Sequence, residues 1–92
     1  MTGLRDSDLR EWMNVTATKV AAVDESGGDS SIYRLQGKTM AGILALLEKS
    51  CPVDLWDAAL NRGRNMMRNG EDWRRELRLY DNFNERIIYG RS

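Results

Sequence analysis

The stretch Val-Thr-Ala-Thr-Lys-Val-Ala-Ala-Val at residues 15–23 decides the fold class, because its pattern fits two kinds of structure. Four of its apolar residues alternate as they would on one side of a strand: Val15, Ala17, Ala21 and Val23. Lys19 interrupts that set, and a helix through Thr16, Val20 and Val23 fits the spacing almost as well. The β-branched residues and the polar segment that follows favour the strand.

The next residues extend this interpretation into a hairpin. Residues 24–31 are polar and centred on Gly27 and Gly28, which predicts a surface loop. Residues 31–36 contain Ile32, Tyr33 and Leu35, which suit a second strand. The two strands would pair as an antiparallel hairpin with a long loop.

Helical patterns lie on both sides of the predicted hairpin. Apolar spacing and capping residues predict helices over about residues 6–13, 40–49, 52–69 and 71–80. Thr39 would cap the second of these helices, Pro52 would begin the third, and Asn69-Gly70 would end it. Residues 86–89 suit a short closing strand, whereas a helix that continues to Tyr89 would make the chain all-α.

These elements predict an α+β fold, in which a short antiparallel β-hairpin packs on three to four helices. The alternative is an all-α four-helix bundle, since residues 15–23 and 86–89 fit a helix as well. The length of 92 residues is typical of one small globular domain spanning residues 1–92.

Composition excludes several kinds of site. The chain has 14 basic and 14 acidic residues, no histidine and one cysteine. The absence of histidine excludes Ser-His-Asp and Cys-His nucleophiles and every zinc site that uses imidazole. Lone Cys51 excludes an internal disulfide and an all-cysteine metal site. We therefore predict no catalytic residue, no metal and no cofactor.

The lack of recognisable targeting signals and the single cysteine together predict the compartment. No apolar run approaches the ~18 residues of a transmembrane helix. The first residues lack the apolar segment of a signal peptide, and the lone cysteine fits a reducing compartment. We therefore expect a cytoplasmic protein without membrane contact.

The segment Gly37-Lys38-Thr39 resembles the end of a phosphate-binding loop. The complete pattern requires a glycine five residues before Gly37, and that position is Ile32. The segment is better explained as a turn that leads from a strand into a helix, with Thr39 as the cap.

The feature that most suggests a function is a polar stripe on the predicted third helix. Four residues at helical spacing form it, and we call them the Arg/Asn face: Asn61, Arg64, Asn65 and Arg68. Arginine is favoured at protein interfaces, and both residue types also read base edges in nucleic acids. Met66 would add an adaptable apolar contact beside this face. Three more arginines follow on the next helix: Arg74, Arg75 and Arg78.

The sequence thus favours a small non-catalytic intracellular protein-binding module, a class that includes regulators and inhibitors, whose partner presents an acidic surface. The alternative is a sequence- or structure-specific nucleic-acid-binding protein that uses the Arg/Asn face of the helix around 52–69. A homodimer would double the basic stripe and so compensate for the neutral net charge. Phosphate contacts would give a steep loss of affinity with added salt, which separates the two hypotheses.

Overall fold

In the computed structural model, which describes residues 5–88, the chain forms four α-helices. They are α1 (Asp6–Glu25), α2 (Ser31–Glu48), α3 (Pro52–Arg68) and α4 (Trp73–Ile88). Residues 5–88 contain no strand. The predicted α+β class with a β-hairpin is therefore wrong, and the arrangement is a bundle of helices, as in the all-α alternative.

Residues 15–23 belong to α1, because this helix lies at the centre of the molecule and packs against the other three. From Val15 to Ala21 every residue except Lys19 is buried, so no apolar stripe of helical spacing stands out in this part of the sequence. Thr16 and Thr18 are fully buried. The hydroxyl of Thr16 donates to the backbone carbonyl of Trp12 at 2.7 Å. The one hydroxyl hydrogen of Thr18 is shared between the backbone carbonyl of Asn14 at 3.2 Å and the carboxylate of Glu76 at 3.1 Å. Packing on three sides thus overrides the weak helix propensity of the β-branched residues.

Residues 31–36, predicted as the second strand, are the first turns of α2, which begins at Ser31 and not at Thr39. Gly37 lies inside this helix, where an added Cβ would collide with the indole of Trp56 on α3. The hydroxyl of Thr39 donates to the carbonyl of Leu35 at 2.9 Å and caps nothing. The segment Gly37-Lys38-Thr39 is therefore neither a turn nor a phosphate-binding loop.

The closing strand predicted at residues 86–89 is also wrong as far as Ile88, where α4 ends; Tyr89 lies outside the described residues. The helix continues through residues 81–84 because two of them make contacts with other helices. Phe83 stacks on Trp12 of α1 with ring centroids 6.2 Å apart. Asn84 accepts a hydrogen bond from Gln36 of α2 at 3.0 Å.

The start and end of α3 follow the predicted signals, whereas α2 ends beside a residue that the sequence did not single out. Lys49 takes the left-handed conformation with φ 54° after the end of α2, and Pro52 occupies the first turn of α3. Gly70, with φ 72°, supplies the positive φ that turns the chain from α3 into α4.

The helix directions leave a groove on one side of the molecule. Both α2 and α4 run antiparallel to α1: Thr16 contacts Met40 and Arg10 contacts Glu48 on one side, and Thr18 contacts Glu76 on the other. The Cα atoms of α2 and α4 within residues 5–88 stay more than 8 Å apart. Their separation opens a groove between them, with α1 as its floor.

Candidate functional site

The structure places the Arg/Asn face on the outside of α3. Its four residues are exposed: Asn61, Arg64, Asn65 and Arg68. The core side of the same helix carries Trp56, Leu60 and Gly63, all buried, whereas Val53 in the first turn is 63% exposed. Gly63 lies there because an added Cβ would stand 3.1 Å from the backbone of Thr18 on α1.

The exposed side of α3 carries no net charge when the first turns of the helix are counted together with the Arg/Asn face. Asp54 and Asp57 lie on the same exposed side of α3, and helical spacing continues from them to Asn61. The carboxylates stand near the start of the helix, and Arg68 lies in its last turn, which is the distribution that favours the helix dipole. Stabilisation of α3 itself therefore explains much of this pattern.

The arginines of this face also have acidic neighbours across the helix pair. A cleft of about 460 Å³ brings Arg64 and Arg68 together with Asp24 and Glu25 at the end of α1. A hydrogen bond from Ser30 holds the pKa of Asp24 below its ordinary value, and the positive charges of Arg34 and Arg64 act in the same direction. The basic charge on this side is thus balanced within the molecule.

The remaining residues of the predicted site do not join the Arg/Asn face. Met66 is half-buried, and Met67 is the methionine that lines the cleft beside Arg64. The guanidinium of Arg74 lies 4.4 Å from the ring of Trp73. Arg75 and Arg78 line a separate shallow depression on α4, together with Asp81 and Glu85. The predicted site is therefore divided between two surfaces.

The core contains a buried carboxylate, that of Glu76, which is 7% exposed. Its carboxylate accepts hydrogen bonds from the two terminal nitrogens of Arg62 at 2.8 and 3.1 Å and from the hydroxyl of Thr18 at 3.1 Å. The bonds and charge of Arg62, with the bond from Thr18, hold the pKa of this carboxyl below its ordinary value despite burial. With its partners in place, the group ties α1, α3 and α4 together and is not free for acid–base chemistry.

Cys51 is an exposed free thiol at the start of α3. Within residues 5–88, no three acidic or cysteine side chains gather as a metal site would require.

Sequence reasoning missed an apolar surface on the outer side of α2. Large side chains that are 48–83% exposed form it: Ile32, Leu35, Ile43, Leu46 and Leu47. Thr39 and Gly42 lie between them at helical spacing, and we call these seven residues the α2 apolar face. Several adjacent exposed apolar side chains typically mark a binding surface, whereas a single one does not.

The charged residues of α2 point away from this face. Arg34 pairs with Asp24 at 2.6 Å, and Glu48 pairs with Arg10, so both are held against α1. Lys38 lies on the flank that leads to α3, beside Trp56. The α2 apolar face itself contains no charge, which is the composition found at the centre of protein interfaces.

One edge of the α2 apolar face borders the groove between α2 and α4. This groove has a volume of about 630 Å³, and Ile32, Leu35 and Ile43 form one wall of it. Its floor includes Leu9 and Trp12 of α1, and its far wall includes Tyr80 and Asn84 of α4. The surface is thus apolar and concave at the same place.

Hydrogen bonds fix the far wall of the groove. The hydroxyl of Tyr80 donates to Gln36 at 2.7 Å, and the amide nitrogen of Gln36 donates to Asn84 at 3.0 Å. The ammonium of Lys19 stands 5.4 Å from the ring centre of Tyr33, which closes one end of this cluster. Burial raises the pKa of Tyr80, so its hydroxyl stays protonated and continues to donate at neutral pH.

The α2 apolar face was missed because its residues were assigned to two different elements. Ile32 and Leu35 were predicted in a strand, and Ile43 and Leu47 in a helix that began at Met40. A helix drawn from Ser31 would have shown apolar residues on its outer as well as its inner side. Within residues 5–88 no other helix covers the outer side.

Comparison with known proteins gives no relative: no family model, no curated protein and no solved structure matches this chain. Among residues 5–88, no helix has the length and apolar character needed to cross a membrane.

Proposed function

We propose that this chain is a small, non-catalytic, cytoplasmic protein-binding module that receives an amphipathic helix of a protein partner on the α2 apolar face. The observation that carries the proposal is the exposure of five large apolar side chains on one uncharged side of α2. Covering such a surface by a second protein removes apolar area from water, which is the main driving force of association.

The expected affinity is moderate. Burying an exposed leucine or isoleucine completely is worth roughly 1.5–3 kcal/mol, and these side chains are already partly covered. The burial free energies of the five side chains together are similar to the ~4–15 kcal/mol that association costs in lost translational and rotational freedom. Contacts in the adjoining groove therefore decide the net affinity, and we expect reversible binding.

A helix is the partner element that fits this surface. Ile32, Leu35, Thr39, Gly42 and Leu46 follow one another at alternating intervals of three and four residues. This spacing is the seam of helix pairs that cross at about 20°. An amphipathic helix that settles on such a seam presents its own apolar residues at the same spacing.

The Arg/Asn face supports the two other hypotheses less well. Its arginines are balanced by Asp54 and Asp57 on the same side and by Asp24 and Glu25 across the cleft. A nucleic-acid-binding surface needs uncompensated positive charge. Binding of nucleic acid, or of an acidic partner to this face, is therefore treated as a contrary outcome of the test.

The test compares four baits in lysate of the cells that produce the chain, with and without nuclease. The baits are the wild type, Leu46→Lys, Val53→Lys and the double variant Arg64→Glu with Arg68→Glu. Val53 is the matched control because it is 63% exposed and lies on α3, outside the α2 apolar face. Each captured protein is then purified and titrated against the four baits by calorimetry.

Support consists of a purified partner that binds the wild type, Val53→Lys and the double arginine variant, and that loses at least tenfold in affinity for Leu46→Lys. A partner lost only by the double arginine variant would move the site to the Arg/Asn face. Capture that disappears with nuclease would replace the proposal by nucleic-acid binding. Cosedimentation of the wild type with phosphatidylcholine vesicles, lost in Leu46→Lys, would assign the face to a lipid surface.

A further inference from the structure

We infer that the helix received by the α2 apolar face is α2 of a second copy of this chain, packed antiparallel across a twofold axis. The inference rests on the proposed function and names its partner. Four features carry it: the order of residues along the seam, the open space at Gly42, the charges at the two ends of α2, and the size of the face.

The order of residues along the seam is self-complementary. Large residues stand at both ends, with Ile32 and Leu35 at one and Leu46 at the other, and the small Thr39 and Gly42 stand in the middle. An antiparallel pairing therefore places Leu46 opposite Leu35 of the partner subunit and Thr39 opposite Gly42 of the partner subunit. A twofold axis makes each contact twice, as an isologous interface requires.

Gly42 is a glycine for which the single chain gives no packing reason. It lies in the interior of α2, where glycine costs helix stability relative to alanine. An added Cβ there would meet nothing within 4 Å, unlike those at Gly37 and Gly63, which face other helices. A second helix that approaches the middle of the seam closely would supply the missing reason, because a side chain at this position would hold it away.

The charges at the ends of α2 favour the antiparallel direction. Asp29 precedes the helix, and hydrogen bonds from Ser31 hold its pKa below the ordinary value. Lys49 follows the helix and is exposed. In the antiparallel pair Lys49 extends over Ile32 of the partner subunit toward the partner subunit's Asp29, whereas a parallel pair would place like charges together.

The size of the face suits a small dimer. Each partner of a standard interface contributes about 800 Å² of surface. Five large apolar side chains that are 48–83% exposed, with the apolar wall of the adjoining groove, supply an area of this order. The face contains no charged residue, so the two copies can meet without the cost of desolvating a charge.

The experiment is sedimentation equilibrium of the full chain, measured from about 1 to about 200 µM, a range that covers dissociation constants of moderate dimers. The wild type is expected to change from the 10.5 kDa of one chain to about twice that mass. Leu46→Lys should raise the dissociation constant at least about 30-fold, because the twofold axis introduces the charge twice. Val53→Lys, the matched control, should change it less than about twofold.

A second variant guards against loss of folding. Gly42→Leu improves helix propensity, and its Cβ meets no atom within 4 Å, so circular dichroism and thermal melting should show an intact fold. It should nevertheless weaken the dimer at least about tenfold, because the new side chain keeps the two helices apart. A dimer unaffected by both Gly42→Leu and Leu46→Lys would overturn the inference.

Cross-linking tests the direction of the pair. In a Cys51→Ser background, Leu35→Cys and Leu46→Cys chains are mixed and oxidised. An antiparallel pair gives the mixed disulfide, whereas a disulfide formed only between like chains would overturn the proposed direction.

The inference and the proposed function fail separately. A single-chain mass at every concentration would overturn the homodimer, but it would leave a helix from a different protein, captured in a Leu46-dependent way, as the occupant. The absence of both self-association and Leu46-dependent capture would overturn the proposed function as well.

Discussion

The central helix α1 and the outer side of α2 are both rich in apolar residues, yet they have opposite surroundings. In α1, residues such as Val15, Ala17 and Val20 are buried because three helices surround them. In α2, Ile32 and Leu46 have the same apolar character and face solvent. The hydrophobic pattern alone therefore does not distinguish a core helix from a helix with an exposed apolar side. The two are distinguished by how many helices pack against them.

The largest expected effect compares a buried side chain of α1 with an exposed one of α2. Met13→Ala should lower the free energy of unfolding by about 2–5 kcal/mol, because it leaves a cavity in the core. Leu46→Ala should change it by less than about 0.5 kcal/mol, since Leu46 packs little within its own chain. Urea unfolding, at a concentration where sedimentation shows a single chain, measures both. A loss above about 2 kcal/mol for Leu46→Ala would show that the outer side of α2 belongs to the core.

A smaller effect separates the inner and outer sides of α2 by their glycines. Gly37→Ala should destabilise the chain by about 1–3 kcal/mol, because the new Cβ collides with the indole of Trp56. Gly42→Ala should stabilise it by up to about 1 kcal/mol, because alanine favours the helix and the space is open. Thermal unfolding of the two variants, at a concentration where sedimentation shows a single chain, gives the signs. Equal signs would contradict the difference between the inner and outer sides of α2.

The smallest effect concerns the polar contact between α1 and the helices around it. Glu76→Gln should lower the free energy of unfolding by about 1–2 kcal/mol at pH 7, because glutamine lacks the charge that strengthens the bonds to Arg62. The loss is no larger because the Arg62 side chain is 41% exposed and solvent screens its charge. The folded-state pKa of Glu76 lies below its ordinary value of 4.5. Its contribution is therefore complete above pH 4.5 and is lost as the pH falls through the folded-state pKa.

Acid titration of the unfolding free energy tests this prediction. The wild type should lose stability below about pH 4.5 more steeply than Glu76→Gln. Glu85→Gln, a change at an exposed position on the same helix, should keep the wild-type slope. Equal slopes for the wild type and Glu76→Gln would remove Glu76 from the acid response.

The sequence predicted the parts of the fold in which local signals and packing agree. Pro52 and Gly70 mark the limits of α3 as expected, and Leu9, Trp12 and Met13 share the buried side of α1. Residues 15–23 were wrongly assigned because β-branched residues favour a strand locally, whereas contacts with three helices favour α1. Those contacts are with residues far away in the sequence, so a short stretch around residues 15–23 carries no sign of them.

The candidate site was less predictable than the fold. The Arg/Asn face could be read from helical spacing, but its exposure and the neutralising positions of Asp24 and Glu25 depend on how α1 crosses α3. The α2 apolar face required Ile32 and Leu46 to be placed on one helix, and the wrong strand assignment separated them. An error in secondary structure thus became an error about the binding surface.

The floor of the groove has an optical consequence. Trp12 stacks on Phe83, and no described residue accepts a hydrogen bond from its indole nitrogen, nor from that of Trp56. Trp73, in contrast, is partly exposed beside Arg74. The chain therefore carries a natural fluorophore beneath the surface where a helix would settle and another on the opposite end of α4 as a reference. In a variant where Trp56 and Trp73 are replaced by phenylalanine, all tryptophan emission would come from Trp12. Binding at the groove could then be followed as a change in that emission, without an added label.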